Sequence, residues 1–473
     1  MKVRTRFAPS PTGYMHIGNL RTAIFEYLLA KKYNGDFILR IEDTDQERAV
    51  PGAIEFIYKT LELCNFKIDE GPMNEKGYGP YIQSERKDIY KKYALELVEK
   101  GKAYYCFCKE EELEEMRKKA AARKRPFLYD GRCSHLSAEK IAENLKNGVP
   151  YVIRQKMPKT GVTIVEDLVY GKIKIDNSIL DDQILLKSDG LPTYNFANVV
   201  DDHLMAITHV IRGKEYLDQT AKYNLLYEAF GWEKPIYAHV AMVLGEDGNK
   251  LSKRNGDASF MDLYNVGFLP EAIVNYLSLL GWSPNNNQEL FSMEELIANF
   301  DESRISKSSS QYDVKKLEWF NHQYITKLED DKYLDWIKKY FKQDVSDKDV
   351  VWLDKLLLIY KDHLNYGEQI NEVTKNFFIK DISLDEEEME FLKSDEKIPA
   401  ILEEYSKEIA NIDDWQIANI NNAINNVKNN LGVKGKLLYM PIRIVASGFM
   451  HGPELADTLY LIGKNTILDR INK

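Results

Sequence analysis

The chain has 473 residues, 44% of them hydrophobic and 29% charged, a globular balance with room for about three domains. A net charge of −10 argues against a generic nucleic-acid coat and against DNA as a partner, although an acidic chain can still carry one basic strip. No apolar run reaches the ~18 residues of a membrane span and no apolar signal segment follows Met1 to Phe7, so a soluble, cytoplasmic chain with no membrane partner is expected.

The opening V-R-T-R reads as a strand, and Leu20, Ile24, Tyr27 and Leu28 recur at helical spacing through Lys32. Between them lies F-A-P-S-P-T-G-Y-M-H-I-G-N, which sets His16 and Gly18 at the helix entrance. Unpaired N–H groups and the positive end of the helix dipole make that entrance a place for phosphate. The stretch is neither the dinucleotide fingerprint nor a P-loop. F-I-L-R-I-E-D-T-D, Phe37 to Asp45, alternates as a second strand ending in a polar turn, and a helix follows from about Gly52 to Leu63. Alternating strands and helices imply a parallel, doubly wound sheet with its ligand site beyond the carboxyl ends of the strands. His16 and the cluster Glu42 to Asp45 both fall at such ends.

From about Tyr104 to Gln183 short antiparallel strands suggest an inserted subdomain. It holds C-x-C at Cys106 and Cys108 and C-x-H at Cys133 and His135, a donor set suited to a closed, structural zinc site, with buried free cysteines as the alternative. Four cysteines are too few for a disulfide scaffold, and Cys64 reads as core. The basic stretch Arg117 to Arg125 fits a solvated helix face better than a phosphate-contacting one. The α/β style returns at L-P-T-Y-N-F-A-N-V-V-D-D-H-L and T-H-V-I-R-G-K-E-Y. G-E-D-G-N-K-L-S-K-R-N-G-D-A-S, Gly245 to Ser259, holds Lys250, Lys253 and Arg254 in a glycine-flanked loop suited to clamping phosphates. An exposed basic loop is the alternative, and pairing with the His16 loop favours the clamp. After about Phe320 helices dominate. Trp352, Leu353, Leu356, Leu357, Tyr360 and Leu364 form one apolar stripe, Ile398, Ile401, Leu402 and Tyr405 another, and the acidic run at Asp385 reads as a solvated face.

These stretches carry a resemblance. P-S-P-T-G-Y-M-H-I-G-N resembles the HIGH signature, and K-L-S-K-R the KMSKS signature, of class I aminoacyl-tRNA synthetases. R-F-A-P-S-P-T-G with R-I-E-D-T-D, then L-P-T-Y-N-F-A-N-V-V-D-D-H-L and V-I-R-G-K-E-Y, resemble the bacterial glutamyl-tRNA synthetases, and L-G-V-K-G-K-L-L-Y-M-P-I-R with G-F-M-H-G-P-E-L is similar to their terminal segment. The resemblance implies a Rossmann-like doubly wound parallel sheet split by an inserted acceptor-binding subdomain, followed by a mainly α-helical C-terminal anticodon-binding region. The expected divisions are 1–103 and 191–243 for the two halves of the catalytic domain, 104–190 for the insertion, 244–325 for a stem-contact region and 326–473 for the helical region.

It also implies an ATP-dependent ligase that activates L-glutamate once tRNA is bound and transfers it to the tRNA 3′ end, working as a monomer. tRNA-Glu alone, or tRNA-Glu and tRNA-Gln, both fit. By this resemblance His16, Lys253 and Lys250 act on the phosphates, and Gly18, Asn19, Ser252 and Arg254 hold ATP with its Mg2+. Arg6 faces the substrate side-chain carboxylate and Arg212 also points at the amino acid. Glu42 and Ser10 hold its ammonium, Ala8 leaves room, and Tyr194 and Asn198 line the pocket. Tyr216 stands where many relatives carry tryptophan, and the trio Asp201, Asp202 and His203 belongs to the internal network. Some bacterial glutamyl enzymes carry structural zinc at the arrangement formed here by Cys106, Cys108, Cys133 and His135. A shortened relative that modifies a tRNA base would lack the long helical end. A nucleotidyltransferase would not need Arg6, Tyr194 and Arg212 together, and a non-catalytic tRNA-binding paralogue would be expected to lose His16 or Lys253.

Overall fold

The computed structural model describes residues 2–45, 47, 50–245, 247–249, 251 and 259–472. The chain divides into two compact units, one of Met1–Asp262 with Ile273–Asp313, the other of Leu263–Ala272 with Val314–Lys473.

In the first unit β1 (Arg4–Phe7) pairs in parallel with β2 (Asp36–Leu39), from Arg4 opposite Asp36 to Phe7 opposite Leu39. Every residue of both strands is buried, as a parallel sheet covered on both faces requires. The crossover is α1 (Ile17–Lys32), which starts three residues before the apolar repeat because His16 caps it. β2 is shorter than its alternating pattern. β1 runs into Pro9 and Pro11, which carry no N–H to extend a ladder. Beyond β2 the chain still donates to that neighbour, Arg40 N–H to Phe7 O and Glu42 N–H to Pro9 O, each at 3.0 Å, while Ile41 N–H turns to Tyr81 O at 2.9 Å.

The insertion contains β3 (Ala103–Cys106), β4 (Val152–Gln155), the hairpin of β5 (Val162–Asp167) and β6 (Gly171–Asp176), and β7 (Ile184–Leu186). β3, β4 and β7 form an antiparallel sheet, as expected. The hairpin does something else: β5 lies parallel to β9 (Ile236–Val240), itself parallel to β8 (His209–Gly213), so the sheet runs β6-β5-β9-β8. Alternate residues of β5, Thr163, Val165 and Asp167, are buried, which lets the inserted strand extend the α/β sheet. Thr208 N–H donates to Arg4 O at 3.0 Å and ties β1 to the start of β8. The helices Lys87–Glu99, Tyr194–Leu204 and Thr220–Phe230 pack around Tyr90, Leu97, Phe196, Val200, Tyr223, Leu226 and Phe230.

The second unit is helical from Val314 onward. Leu356, Leu357, Tyr360 and Leu364 join Tyr333, Trp336 and Ile337 in one core. Ile401 and Tyr405 join Ile420, Ile424, Val427, Leu438, Ile442 and Leu459 in another. In the acidic run Glu386 and Glu387 are exposed, while Glu388 turns inward and accepts from Asp385 N–H at 3.0 Å in a capping box. Among the described residues no helix is long and apolar enough to cross a membrane.

Gly35 is the tightest point of the α1–β2 turn. A Cβ there would stand 2.2 Å from Val3 O, the acceptor of Asp36 N–H at 2.9 Å, so any side chain must push β2 off β1. Gly35→Ala is expected to cost about 1–3 kcal/mol, read from urea unfolding of the full chain.

Candidate active site

The loop after β1 turns into α1 at His16. Its Nδ1 accepts from Gly18 N–H at 3.1 Å, so in the neutral ring the proton sits on Nε2, making that nitrogen a donor. Next to the second signature the chain is held at both flanks. Leu251 N–H donates to Val243 O at 3.2 Å, Ser259 forms a β-bridge with His16, and Phe260 N–H donates to Met15 O at 3.2 Å. Lys250, Ser252, Lys253 and Arg254 lie outside the described residues.

A cleft of about 530 Å³ opens here. Arg6, Ala8, Ser10, His16, Gly18, Asn19, Glu42, Tyr194 and Arg212 all line it, together with Tyr216 and Leu251. Asn198, one turn further along the helix than Tyr194, is buried and does not reach the cleft wall. Tyr216 has its ring 5.4 Å from that of Tyr194 and 5.6 Å from the Arg212 guanidinium, so a tyrosine supplies an aromatic wall at this position.

Beneath the cleft runs a buried charge network. Arg6 donates through Nε to Asp202 at 3.0 Å and through Nη1 to Glu26 at 3.1 Å. Arg40 donates to Asp202 at 2.7 Å and to Glu42 at 3.0 Å. Asp201 accepts from Arg86 at 2.7 Å, Gln83 at 2.9 Å and Tyr90 at 2.7 Å. Burial works against the Asp202 carboxylate, but Arg6 and Arg40 outweigh it and hold its pKa below the usual value. For Glu42 burial wins over Arg40 and Arg6, and its pKa is raised. His203 leaves this network and stacks on Trp232 at 3.8 Å.

Arg212 is anchored differently. Its Nε donates to His239 Nε2 at 3.1 Å and its Nη2 to the Thr220 hydroxyl at 2.8 Å. An accepting Nε2 leaves the His239 proton on Nδ1, which donates to Asp167 Oδ2 at 2.6 Å. Asp167 ends β5, so the inserted hairpin reaches the floor of the cleft. Sequence reading missed Glu26, Asp167 and His239. Glu26 left one usable sign, an acidic residue inside the run I-F-E-Y-L-L of an otherwise apolar helix.

Apart from this cleft, the Sγ atoms of Cys106, Cys108 and Cys133 lie within 4.8 Å of one another. His135 is exposed and not in that group: Cys133 and His135 share the 3-10 helix Arg132–His135, whose threefold turn aims residues two apart in different directions. The oxygen beside the sulfurs belongs to Tyr129, whose hydroxyl is 3.3 Å from Cys106 and from Cys108. The hydrogen bond with Cys133, opposed by burial and helped by Tyr129, draws the Cys106 thiol down from its ordinary value.

Burial lowers the His239 pKa below the ordinary imidazole value of 6.5, against the hydrogen bond to Asp167. Its contribution to stability is therefore complete above 6.5 and is lost as pH falls through the lower folded value, where the unfolded chain already binds the proton. Protonation also removes the acceptor of Arg212 Nε–H. Unfolding free energy measured between about pH 5 and 8 is expected to fall on acidification, and His239→Gln is expected to lose that part of the slope.

Residues 2–319 match the catalytic domain of the class I tRNA synthetases (E and Q), and residues 330–473 match an anticodon binding domain. A glutamate–tRNA ligase of Clostridium botulinum (strain Hall) is 50% identical over 480 residues, covering 99% of this chain and 97% of the relative. One of Clostridium acetobutylicum is 49% identical over 477 residues with the same coverage. A crystal structure of a glutamate tRNA ligase from Elizabethkingia meningosepticum, in complex with its amino acid, superposes with a TM-score of 0.90 at 37% identity, covering 100% of this chain and 99% of that one. With the signature loop, the strand-end arginines and the helical second unit all in the expected order, this chain belongs to the glutamate–tRNA ligases of the class I tRNA synthetase family.

Proposed function

We propose that the cleft activates L-glutamate with ATP, once tRNA is bound, and that the glutamyl group then passes to the 3′ end of tRNA-Glu. The observation that carries this reading is the meeting of the first signature loop, Arg6, Arg212 and the flanks of the second signature around one cleft. A glutamate α-carboxylate oxygen attacks the α-phosphorus of ATP, the bond to pyrophosphate breaks, and glutamyl-adenylate forms. Negative charge grows on the phosphoryl oxygens and the leaving group. His16 Nε2–H is a donor, and the positive end of the α1 dipole beside Gly18 and Asn19 adds a field, that together stabilise it. Lys253 and Lys250 neutralise the pyrophosphate, with Ser252 and Arg254 assisting. Magnesium bound with ATP supplies further charge neutralisation on its phosphates. In the second step a terminal ribose hydroxyl of tRNA attacks the acyl carbon and AMP leaves.

Arg6 takes the side-chain carboxylate, Arg212 a second anionic group of the amino acid, and Glu42 with Ser10 the ammonium. Ala8 leaves space, and Tyr194, backed by Asn198, closes the wall. Glutamine would strand a buried guanidinium, a penalty of roughly 3–5 kcal/mol. The second unit reads anticodon bases by side-chain contacts and stacking. The family resemblance supports a cytoplasmic monomer.

The cysteine cluster would hold a structural zinc ion. Cys106, Cys108 and Cys133, with the Tyr129 oxygen, would supply four donors that pin the end of β3 to the 3-10 helix. Metal analysis of protein purified without chelator is expected to give about one zinc per chain. Cys133→Ser and Tyr129→Phe lower that content, whereas His135→Ala does not. Retention of zinc in Tyr129→Phe and its loss in His135→Ala would return the fourth position to the histidine.

Glutamate-dependent ATP–pyrophosphate exchange, with and without tRNA-Glu and tRNA-Gln, tests the main reading. Exchange is expected only with tRNA present, and the response to tRNA-Gln decides the breadth of charging. His16→Ala is expected to lower turnover about 10²- to 10³-fold. Exchange independent of tRNA, or absent with both, overturns the reading.

A further inference from the structure

Glu26 is buried in the middle of α1 yet lines the cleft beside Arg6. Its Oε1 accepts from Arg6 Nη1 at 3.1 Å, while its Oε2, also buried, has no hydrogen-bond partner among the described residues. Arg6 spends Nε on Asp202 and Nη1 on Glu26. Nη2 makes no hydrogen bond within the described residues and is left for a ligand.

Within this hydrogen-bonded network the charges balance without Glu26, Arg212 standing outside it on His239 and Thr220. Arg6, Arg40 and Arg86 are matched by Asp202, Glu42 and Asp201 through the contacts already described. An ionised Glu26 would add a buried charge with no cation of its own, because the Arg6 guanidinium is already shared with Asp202. A neutral carboxyl fits: its Oε1 accepts from Arg6, and its hydroxyl, on Oε2, is a donor with no partner among the described residues. Glu26 and Arg6, which both line the cleft, then hold one spare donor each. A carboxylate answers both with two acceptor oxygens, whereas an amide, in either orientation, sets its NH2 group against a donor.

We propose that Glu26 is a specificity-determining residue of the amino-acid pocket, which as a neutral acid donates a hydrogen bond from Oε2 to the side-chain carboxylate of the bound substrate beside Arg6. This rests on the assignment of Arg6 to that carboxylate. Burial raises the Glu26 carboxyl well above the usual range. Arg6 from β1 and Arg40 from the segment after β2 pull against this, and Asp202 from the helix Tyr194–Leu204 adds to it. Arg212, at the end of β8, lines the same cleft.

The test measures tRNA-dependent ATP–pyrophosphate exchange by the full chain and its Glu26→Ala, Glu26→Gln and Arg6→Lys variants, each first compared with wild type by thermal melting. Glu26→Ala is expected to raise the KM for glutamate about tenfold or more, with kcat and the KM for ATP changed less than about threefold. The Ki of glutamine as competitor moves less than the glutamate KM, so discrimination falls. Glu26→Gln, whose amide can both accept from Arg6 and donate to the substrate, is expected to recover most of the glutamate KM. Glu26→Leu stands in for alanine, and Glu26→Asn for glutamine, where a variant does not fold. The proposal is overturned if Glu26→Ala leaves the glutamate KM within about threefold of wild type, or if Glu26→Gln is as damaging as Glu26→Ala. An unchanged glutamate KM in Arg6→Lys would instead remove the pocket assignment on which the proposal rests.

Discussion

Arg6, Arg40, Glu42 and Asp202 are held in one buried hydrogen-bonded chain at the carboxyl ends of β1 and β2, and the geometry of the cleft hangs on it. Asp202 comes from a helix nearly two hundred residues downstream, yet it accepts from both arginines. Three segments far apart in the chain are thereby fixed at their ends by charge-assisted bonds rather than by apolar packing. Such bonds are directional, and stranding one partner is expensive, so the arrangement admits little slack. That rigidity suits the role proposed for the cleft, which is to tell a carboxylate from an amide.

The two strand-end arginines are supported by unlike means. Arg6 is held by the Asp202 carboxylate, which it shares with Arg40, and by the Glu26 carboxyl, while Arg212 rests on a neutral imidazole, a threonine hydroxyl and aromatic faces, including that of Tyr223 at 4.6 Å. The first guanidinium is locked by an ionic partner it shares with Arg40, and the second is held by supports that carry no charge. Both need the deep burial that the covered sheet provides.

The insertion is more than an appendage to the α/β sheet. Through β5 it supplies Asp167, which sets the tautomer of His239 and thereby the bed of Arg212. At its other end the cysteine cluster closes β3 against the 3-10 helix. The insertion thus reaches from its cysteine cluster at one end to the support of a cleft-lining arginine at the other.

The sequence by itself was enough for the alternating α/β layout, the helical second half, and the loop residues whose types announce their chemistry. His16 at a helix start, Arg6 and Arg212 at strand ends, and paired cysteines are local patterns, set by backbone geometry within a few residues. Registers, partners and protonation were not legible. β2 stops early because its neighbour meets prolines, β5 joins a sheet it was not expected to join, and the oxygen among the sulfurs is Tyr129 rather than a nitrogen of His135. Glu26 is one acidic residue on an apolar helix, and only the approach of Arg6 from β1 gives its carboxyl a partner. Local chemistry is written in order along the chain, whereas burial and pairing depend on which distant residues share a few ångströms, and that is decided only once the chain has folded.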